Sequence, residues 1–261
     1  MQPEHATDSF DHETQLEQCH AYILGQLQIG KMPSAVHAVR PPGPAITISY
    51  QTGSGAHEIA EQLAGLLRAA EPKGVVQWTM FDHHLVEKVL EEHHLPQSLA
   101  MLLEEDRRSY IQDVMEEFGG IRPPSWVVVP QIAETVLHLA DAGHVILVGR
   151  GANFITARMP NVFHVHLVAS LPKRVARVQK LNHLTAEEAA KFVAGSDRGR
   201  GRYLKTHFHV CVDDDLLYHL VINTDRIPFP ETAQLIADGA QRCFQSGASA
   251  GKQGDPCGPK S

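Results

Sequence analysis

Between Ile48 and Leu63 the chain reads ISYQTGSGAHEIAEQL, with Gly53 and Gly55 separating a short β-branched run from an amphipathic one. Glycine accepts positive φ and lets a ligand approach the backbone closely. The start of a helix adds unbonded N–H groups and the positive end of its dipole. Together these suit an oxyanion without help from any side chain. The fuller phosphate-loop pattern, G-x-x-x-x-G-K-[ST], adds a lysine for the outer phosphates and a hydroxyl for magnesium. With Gly55 as the second glycine, the first falls on Tyr50, the lysine position on Ala56 and the hydroxyl position on His57. The candidate contacts are therefore Ser49, Gly53, Ser54, Gly55, Ala56, His57 and Glu58. The plain alternative is a tight strand-to-helix turn that binds nothing.

Positive charge that could meet a small polyphosphate gathers downstream, at Arg174, Arg177, Lys180, Lys191, Arg198, Arg200 and Arg202. Arg174 and Arg177 lie one turn apart on an expected helix, where a solvated face paired with Glu187 or Glu188 is the competing reading. In SDRGRGR the glycines favour a mobile, ligand-seeking loop. Arg150 ends the buried run HVILVGRG, a poor place for an idle charge. Asp82 follows another strand and could orient an acceptor or a metal-bound water, or simply cap a helix.

The 17 histidines raise a metal question. His83-His84 and His93-His94 are adjacent pairs. His164/His166 and His207/His209 alternate, which places both rings on one face of an extended segment. No cysteine or carboxylate stands at ligand spacing, so no metal site is expected. Of these histidines, His57 at the helix start is the one placed to touch an anion when protonated.

The elements that must hold these residues alternate. AITIS, GVVQWTM, HVILVGRG, VFHVHLVAS and YHLVINTD read as strands. HEIAEQLAGLLRAA is a helix with Ile59, Leu63, Leu66 and Leu67 on one face. FDHHLVEKVLEEHH, PQSLAMLLEEDRRSYIQDVMEEFGG, PQIAETVLHLADAG, LPKRVARVQKL and PETAQLIADGAQRCF are the other helices, and TAEEAAKFVAGSDRGRGRYL is a helix leading into the basic segment. Strands separated by helices of this length call for an α/β fold, a parallel sheet covered on both faces, with ligands beyond the strand carboxyl ends. Three regions are expected: 1–44, a docking helix and a Pro-rich linker; 45–244, the α/β domain; 245–261, a disordered tail.

Over 261 residues the composition is 43% hydrophobic and 20% charged, which suits a globular protein. No apolar run approaches about 18 residues, so no membrane span is expected. The acidic, polar start MQPEHATDSFDHETQLEQCH lacks the makings of a secretory signal. Cys19, Cys211, Cys243 and Cys257 are scattered, which fits reduced thiols and the cytoplasm. The net charge of -7 argues against general nucleic-acid binding.

Six segments, AITISYQTGSGAHEIAEQL, FDHHLV, VILVGRGANFI, FHVHLVASLPKRVARV, SDRGRGRYL and YHLVINTDRIPFPETAQLI, resemble in order and spacing the cytidylate kinase-like family of P-loop nucleoside monophosphate kinases. The resemblance runs from about Ala45 to Phe244. It implies a five-stranded parallel core with a monophosphate-binding region and a helical, arginine-rich lid. Arg150 then matches the arginine that contacts the acceptor nucleotide, although those enzymes continue with aspartate and this chain with Gly151. Arg174, Arg177, Arg198 and Arg202 resemble the lid arginines. The family loop reads closer to ISRxxGSGG, already without the lysine; here Tyr50 replaces its arginine and Ala56 one glycine. The resemblance implies ATP and Mg2+ as cofactors and transfer of phosphate to a nucleoside monophosphate, CMP or dCMP. Two alternatives stand beside it: a catalytically impaired nucleotide-binding regulator or scaffold, with self-association or docking through the N-terminal helix, and a same-fold kinase of another small molecule.

Overall fold

The computed structural model describes residues 42–71, 77–82, 128–149, 151–208 and 214–250. The expected N-terminal docking helix, the linker to residue 41, the helices expected across 83–127, and Arg150 lie outside the described residues.

The elements run β1 (Ala45–Tyr50), α1 (Ala56–Ala70), β2 (Thr79–Phe81), α2 (Val128–Ala142), β3 (Val145–Val148), α3 (Ala152–Ile155), β4 (Val162–Val168), α4 (Leu171–Asn182), α5 (Ala186–Phe208), a 3₁₀ turn (Asp215–Leu217), β5 (Leu220–Asn223) and α6 (Phe229–Ala250). The sheet has five strands in the order β2-β3-β1-β4-β5, and every pairing is parallel. β1 is central, so both of its faces are covered, and all but its last residue are buried.

Alternation along the strands sorts the two faces. Ile46 and Ile48 stand beside Ile146 and Val148 on one flank and Phe163 and Val165 on the other. They pack with Ile59, Leu63, Ala233 and Ile236 into the main core beneath α1 and α6. Thr47 and Ser49 point to the opposite face, where α2 and α3 pack against β1. The buried stripe of α1 is Ala56, Ile59, Ala60, Leu63 and Ala64, while Leu66 is exposed. The sequence placed Leu66 on that stripe, but the helix has turned it outward by the time it follows Leu63.

α4 and α5 form a hairpin beyond the sheet's carboxyl end. His183 turns the chain in the left-handed conformation. Thr185 and Glu188 then close a capping box at the start of α5: the Thr185 N–H donates to Glu188 Oε2 at 2.9 Å, and the Glu188 N–H donates to Thr185 Oγ1 at 3.3 Å. Val178, Ala189 and Val193 give the hairpin a small core of its own. SDRGRGR, expected as a mobile loop, lies inside α5. Each glycine there weakens a helix by about 1 kcal/mol relative to alanine, so contacts from elsewhere must hold this stretch. At the other end, α6 continues past Phe244 to Ala250, into the region expected to be a disordered tail.

Candidate functional site

The glycine loop leaves β1 at the carboxyl end of the sheet. Gly53 has φ +85° and Gly55 φ +91°, both left-handed, and Gly55 is the N-cap of α1. The Ser54 N–H closes the turn on the Gln51 carbonyl at 3.0 Å. Two neighbours brace the loop. Gln51 Oε1 accepts from the Ala169 N–H at 3.1 Å, and Thr224 Oγ1 donates to the Ser54 carbonyl at 3.0 Å. The ends of β1, β4 and β5 thus converge here, as the parallel sheet requires of a ligand site.

Arginines from the hairpin reach the loop. Arg174 is buried; its Nη1 donates to the Thr52 carbonyl at 3.2 Å and its Nε to the Ala169 carbonyl at 3.1 Å. Arg200 Nη1 donates to the Tyr50 carbonyl at 2.6 Å, Nη2 to Thr52 Oγ1 at 3.1 Å, and its guanidinium lies 4.3 Å over the Tyr50 ring. Tyr50, which replaces an arginine of the family pattern, therefore carries an arginine on its face. Arg177 lies 3.9 Å over the Phe229 ring and 3.8 Å from Glu58 Oε2. Burial lowers its pKa from the ordinary arginine value, with Glu58 opposing.

A carboxylate sits among these cations. Asp197 Oδ2 accepts from Arg174 Nη1 at 2.6 Å; Oδ1 accepts from the Thr52 N–H at 2.9 Å and from Arg200 Nη1 at 3.3 Å. Burial pushes this carboxyl up, but hydrogen bonds from Thr52 and Arg174 outweigh it and hold the pKa below the usual aspartate value.

The expected residues distribute as follows. Gly53, Ser54, Gly55 and Ala56 form the loop and the first turn of α1. Ser49 is the last residue but one of β1 and faces Tyr218, whose hydroxyl donates to Ser49 Oγ at 3.4 Å. His57 Nε2 is 3.4 Å from Oδ2 of the buried Asp82, so the hydroxyl position of the phosphate-loop pattern and the acid after β2 meet as a pair. Glu58 meets Arg177, while Glu187 pairs with Lys191 at 2.7 Å, so neither arginine of α4 takes the partner expected on a solvated face. Arg198 and Arg202 are exposed, and Arg198 Nε donates to the Ala194 carbonyl of its own helix. Positions 198 and 202 share one face of α5, and 197 and 200 share another. The structure therefore puts Arg200 and Asp197 on the loop, while Arg198 and Arg202, which the resemblance made lid arginines, are exposed on α5. Reading SDRGRGR with a period of 3.6 would have found the Asp197/Arg200 pair.

Behind the loop, His164 and His166 share one face of β4, as alternation requires. His164 Nδ1 is 2.8 Å from Thr47 Oγ1, and its backbone N–H donates to His219 Nδ1 at 2.9 Å. His166 stacks on Tyr218 with centroids 4.7 Å apart. Among the described residues no group of three His, Cys, Asp or Glu could hold a metal ion. Burial first, and the charge of His219 second, lower the pKa of His164 from 6.5 to about 4. A depressed folded-state pKa means stability that is present above pH 6.5 and lost as the pH falls toward 4. The loss is about 3 kcal/mol. Urea unfolding at pH 7.5 and 4.5 should show wild type losing about 2 kcal/mol more than His164→Gln; equal losses would contradict the burial of a neutral imidazole.

The parallel order β2-β3-β1-β4-β5, with a glycine loop between β1 and α1, is the fold of the P-loop kinases. Residues 45–226 match the cytidylate kinase-like family, and the chain belongs to it. No curated protein matches the sequence. Among solved structures, an uncharacterised protein from Eubacterium ventriosum is similar, with 18% identity and a TM-score of 0.58 over 76% of this chain and 98% of that one. A shikimate kinase from Bacteroides thetaiotaomicron has 14% identity and a TM-score of 0.39 over 78% of this chain and 97% of that one. The APS kinase of Mycobacterium tuberculosis has 16% identity and a TM-score of 0.35 over 77% and 99%. Among the described residues no helix is long and apolar enough to cross a membrane.

Proposed function

We propose that this protein transfers the terminal phosphate of ATP to a nucleoside monophosphate, CMP or dCMP. Membership of a kinase-like family supports a phosphotransferase. The observation that carries the reading is the left-handed glycine loop ringed by Arg174, Arg177 and Arg200 at the strand carboxyl ends. Phosphoryl transfer asks the protein mainly to align two substrates and to place positive charge around the moving group. Arginine meets phosphate oxygens bidentately, so arginines from α4 and α5 can stand in for the lysine that Ala56 is not.

Buried donors suit a phosphate chain. Ser54 Oγ is buried without a hydrogen-bond partner, and so is Arg177 Nη1. In this reading Gly53 to His57 and Glu58 form the donor-phosphate turn, Arg150 holds the acceptor phosphate, and Arg174, Arg177 and Arg200 surround the transferred group. Arg198 and Arg202 then reach it only through a movement of α5. Magnesium keeps much of its water and takes one or two carboxylates alongside substrate phosphates. Asp82, beside His57, is the carboxylate that would hold the ion, and the ion would supply positive charge to the phosphates there.

A second reading has its own support. Ala56 and His57 remove both signature side chains, and Asp197 holds a loop N–H, which favours a nucleotide-binding regulator without turnover. A kinase of another small acceptor shares all of these contacts. Measuring CMP-dependent ADP release for wild type and Arg150→Ala separates them: saturable release that the variant loses supports transfer to a monophosphate, and release with neither acceptor nor variant dependence overturns it.

A further inference from the structure

We propose that Thr52, Arg174 and Arg200 form an oxyanion site that the chain fills with its own Asp197 carboxylate, and that phosphoryl oxygens of a polyphosphate bind by displacing it. The inference rests on the reading of the loop as a phosphate site and specifies how that site is opened.

Three donors converge on one carboxylate: the Thr52 backbone N–H at 2.9 Å, Arg174 Nη1 at 2.6 Å and Arg200 Nη1 at 3.3 Å. A backbone amide at the head of the glycine loop and two guanidinium groups are the donor set that phosphate oxygens take. Asp197 and an incoming phosphate cannot share it, because two anions would then compete for the same protons at contact distance. Without the carboxylate, two positive charges and a free N–H face the loop; with it, one net positive charge remains.

A second observation points to a ligand at the same place. Two residues along the loop from Thr52, Ser54 Oγ is buried and makes no hydrogen bond. Arg177 Nη1, against Gly55, makes none either, its nearest recorded carboxylate oxygen lying 3.8 Å away on Glu58. Buried donors without acceptors are costly unless something fills them. Asp197 thus satisfies the half of the site nearest α5 and leaves the half nearest α1 unsatisfied, as expected of a partial substitute for a longer anion.

The carrier of the carboxylate is suited to leaving. Asp197 lies between Gly195 and Gly199 in α5, both facing open space, and glycine inside a helix weakens it relative to alanine. Displacement would release the tie between this turn and the loop at Asp197, while Arg174, on α4, stays bonded to the Thr52 and Ala169 carbonyls and Arg200 to the Tyr50 carbonyl.

The test is calorimetric titration of the full chain with inorganic tripolyphosphate, which carries neither base nor acceptor. Asp197→Asn, which keeps the side-chain size and removes the competing charge, is expected to bind at least ten-fold more tightly than wild type. Equal or weaker binding would make Asp197 a strut that positions the arginines, and would overturn the proposal. If the variant fails to fold, amide hydrogen exchange on wild type decides: tripolyphosphate should speed exchange around residues 195–201, and protection there would overturn displacement. Failure is separable from failure of the proposed function. Turnover on CMP without a gain for Asp197→Asn refutes only the displacement, whereas a gain in a chain that turns over no acceptor leaves the displacement standing and refutes the kinase.

Discussion

Gly53→Ala is expected to lower folding stability by about 3 kcal/mol, the largest effect of any single methyl group added to the loop. Two costs combine. At φ +85° an alanine sits in the left-handed region, which costs about 1 to 2 kcal/mol. Its Cβ would also lie 2.5 Å from the Arg174 carbonyl oxygen and 3.0 Å from the Arg174 Cα. That neighbour is backbone, tied into α4 by the Arg174 N–H bond to the Ser170 carbonyl at 3.1 Å, so it cannot swing aside. Forcing such a contact costs a further 1 to 3 kcal/mol or so. Gly55→Ala makes the contrast useful. Its φ of +91° carries the same strain, but its Cβ would overlap the ends of the Phe229 and Arg177 side chains, which can rotate away. It should therefore cost about 1 kcal/mol less stability than Gly53→Ala while displacing Arg177 from the loop. Urea unfolding of both variants checks the order; a loss below about 1 kcal/mol for Gly53→Ala would mean the loop does not pack on α4 as described.

Arg174→Ala should cost about 2 to 3 kcal/mol in stability and weaken phosphate-chain binding roughly 10- to 100-fold. The side chain is 10% exposed and joins the Thr52 and Ala169 carbonyls to Asp197. Removing it leaves two carbonyls short of a donor and Asp197 with Arg200 and the Thr52 N–H alone. The penalty stays below that of a fully buried pair because Asp197 is 30% exposed and water can reach it. Arg174→Lys should recover part of the binding through its charge but not the forked contacts, since a lysine cannot serve three acceptors in one plane. Arg198→Ala is the control: exposed and bonded within its own helix, it should change stability by less than about 0.5 kcal/mol. Isothermal titration with ATP and urea unfolding read the two quantities separately. Equal losses of stability for Arg174→Ala and Arg198→Ala would refute the assignment of Arg174 to the loop.

Sequence reasoning reached the strand, turn and helix of the loop because each leaves a local mark: the β-branched run of β1, the paired glycines, and the 3.6-residue stripe of α1. β3 and β4 were legible for the same reason, as near-continuous apolar runs buried on both faces. It read the one-face placement of His164 and His166 from alternation alone. It counted Arg200 in the basic cluster but could not set it apart from Arg198 and Arg202, and it did not reach Asp197, because three glycines in 195–201 hide the helical period and a period of two there makes the three arginines equivalent. Nor could it see that Arg177 would stack on Phe229, a contact between residues whose meeting depends on the parallel crossover placing β5 beside β4. Charge could be counted in the sequence; which charges face the loop depends on helix phase and sheet order.

The most direct measurement is acceptor-dependent ADP release from ATP and magnesium over CMP, dCMP, UMP, AMP and non-nucleotide acceptors, with ATP-induced thermal shifts recorded in parallel. The account predicts that ATP raises the melting temperature and that CMP or dCMP gives saturable ADP release, lost in Arg174→Ala. Thermal stabilisation by ATP with no release on any acceptor would contradict catalysis, and no shift with either ATP or CMP would contradict the site itself.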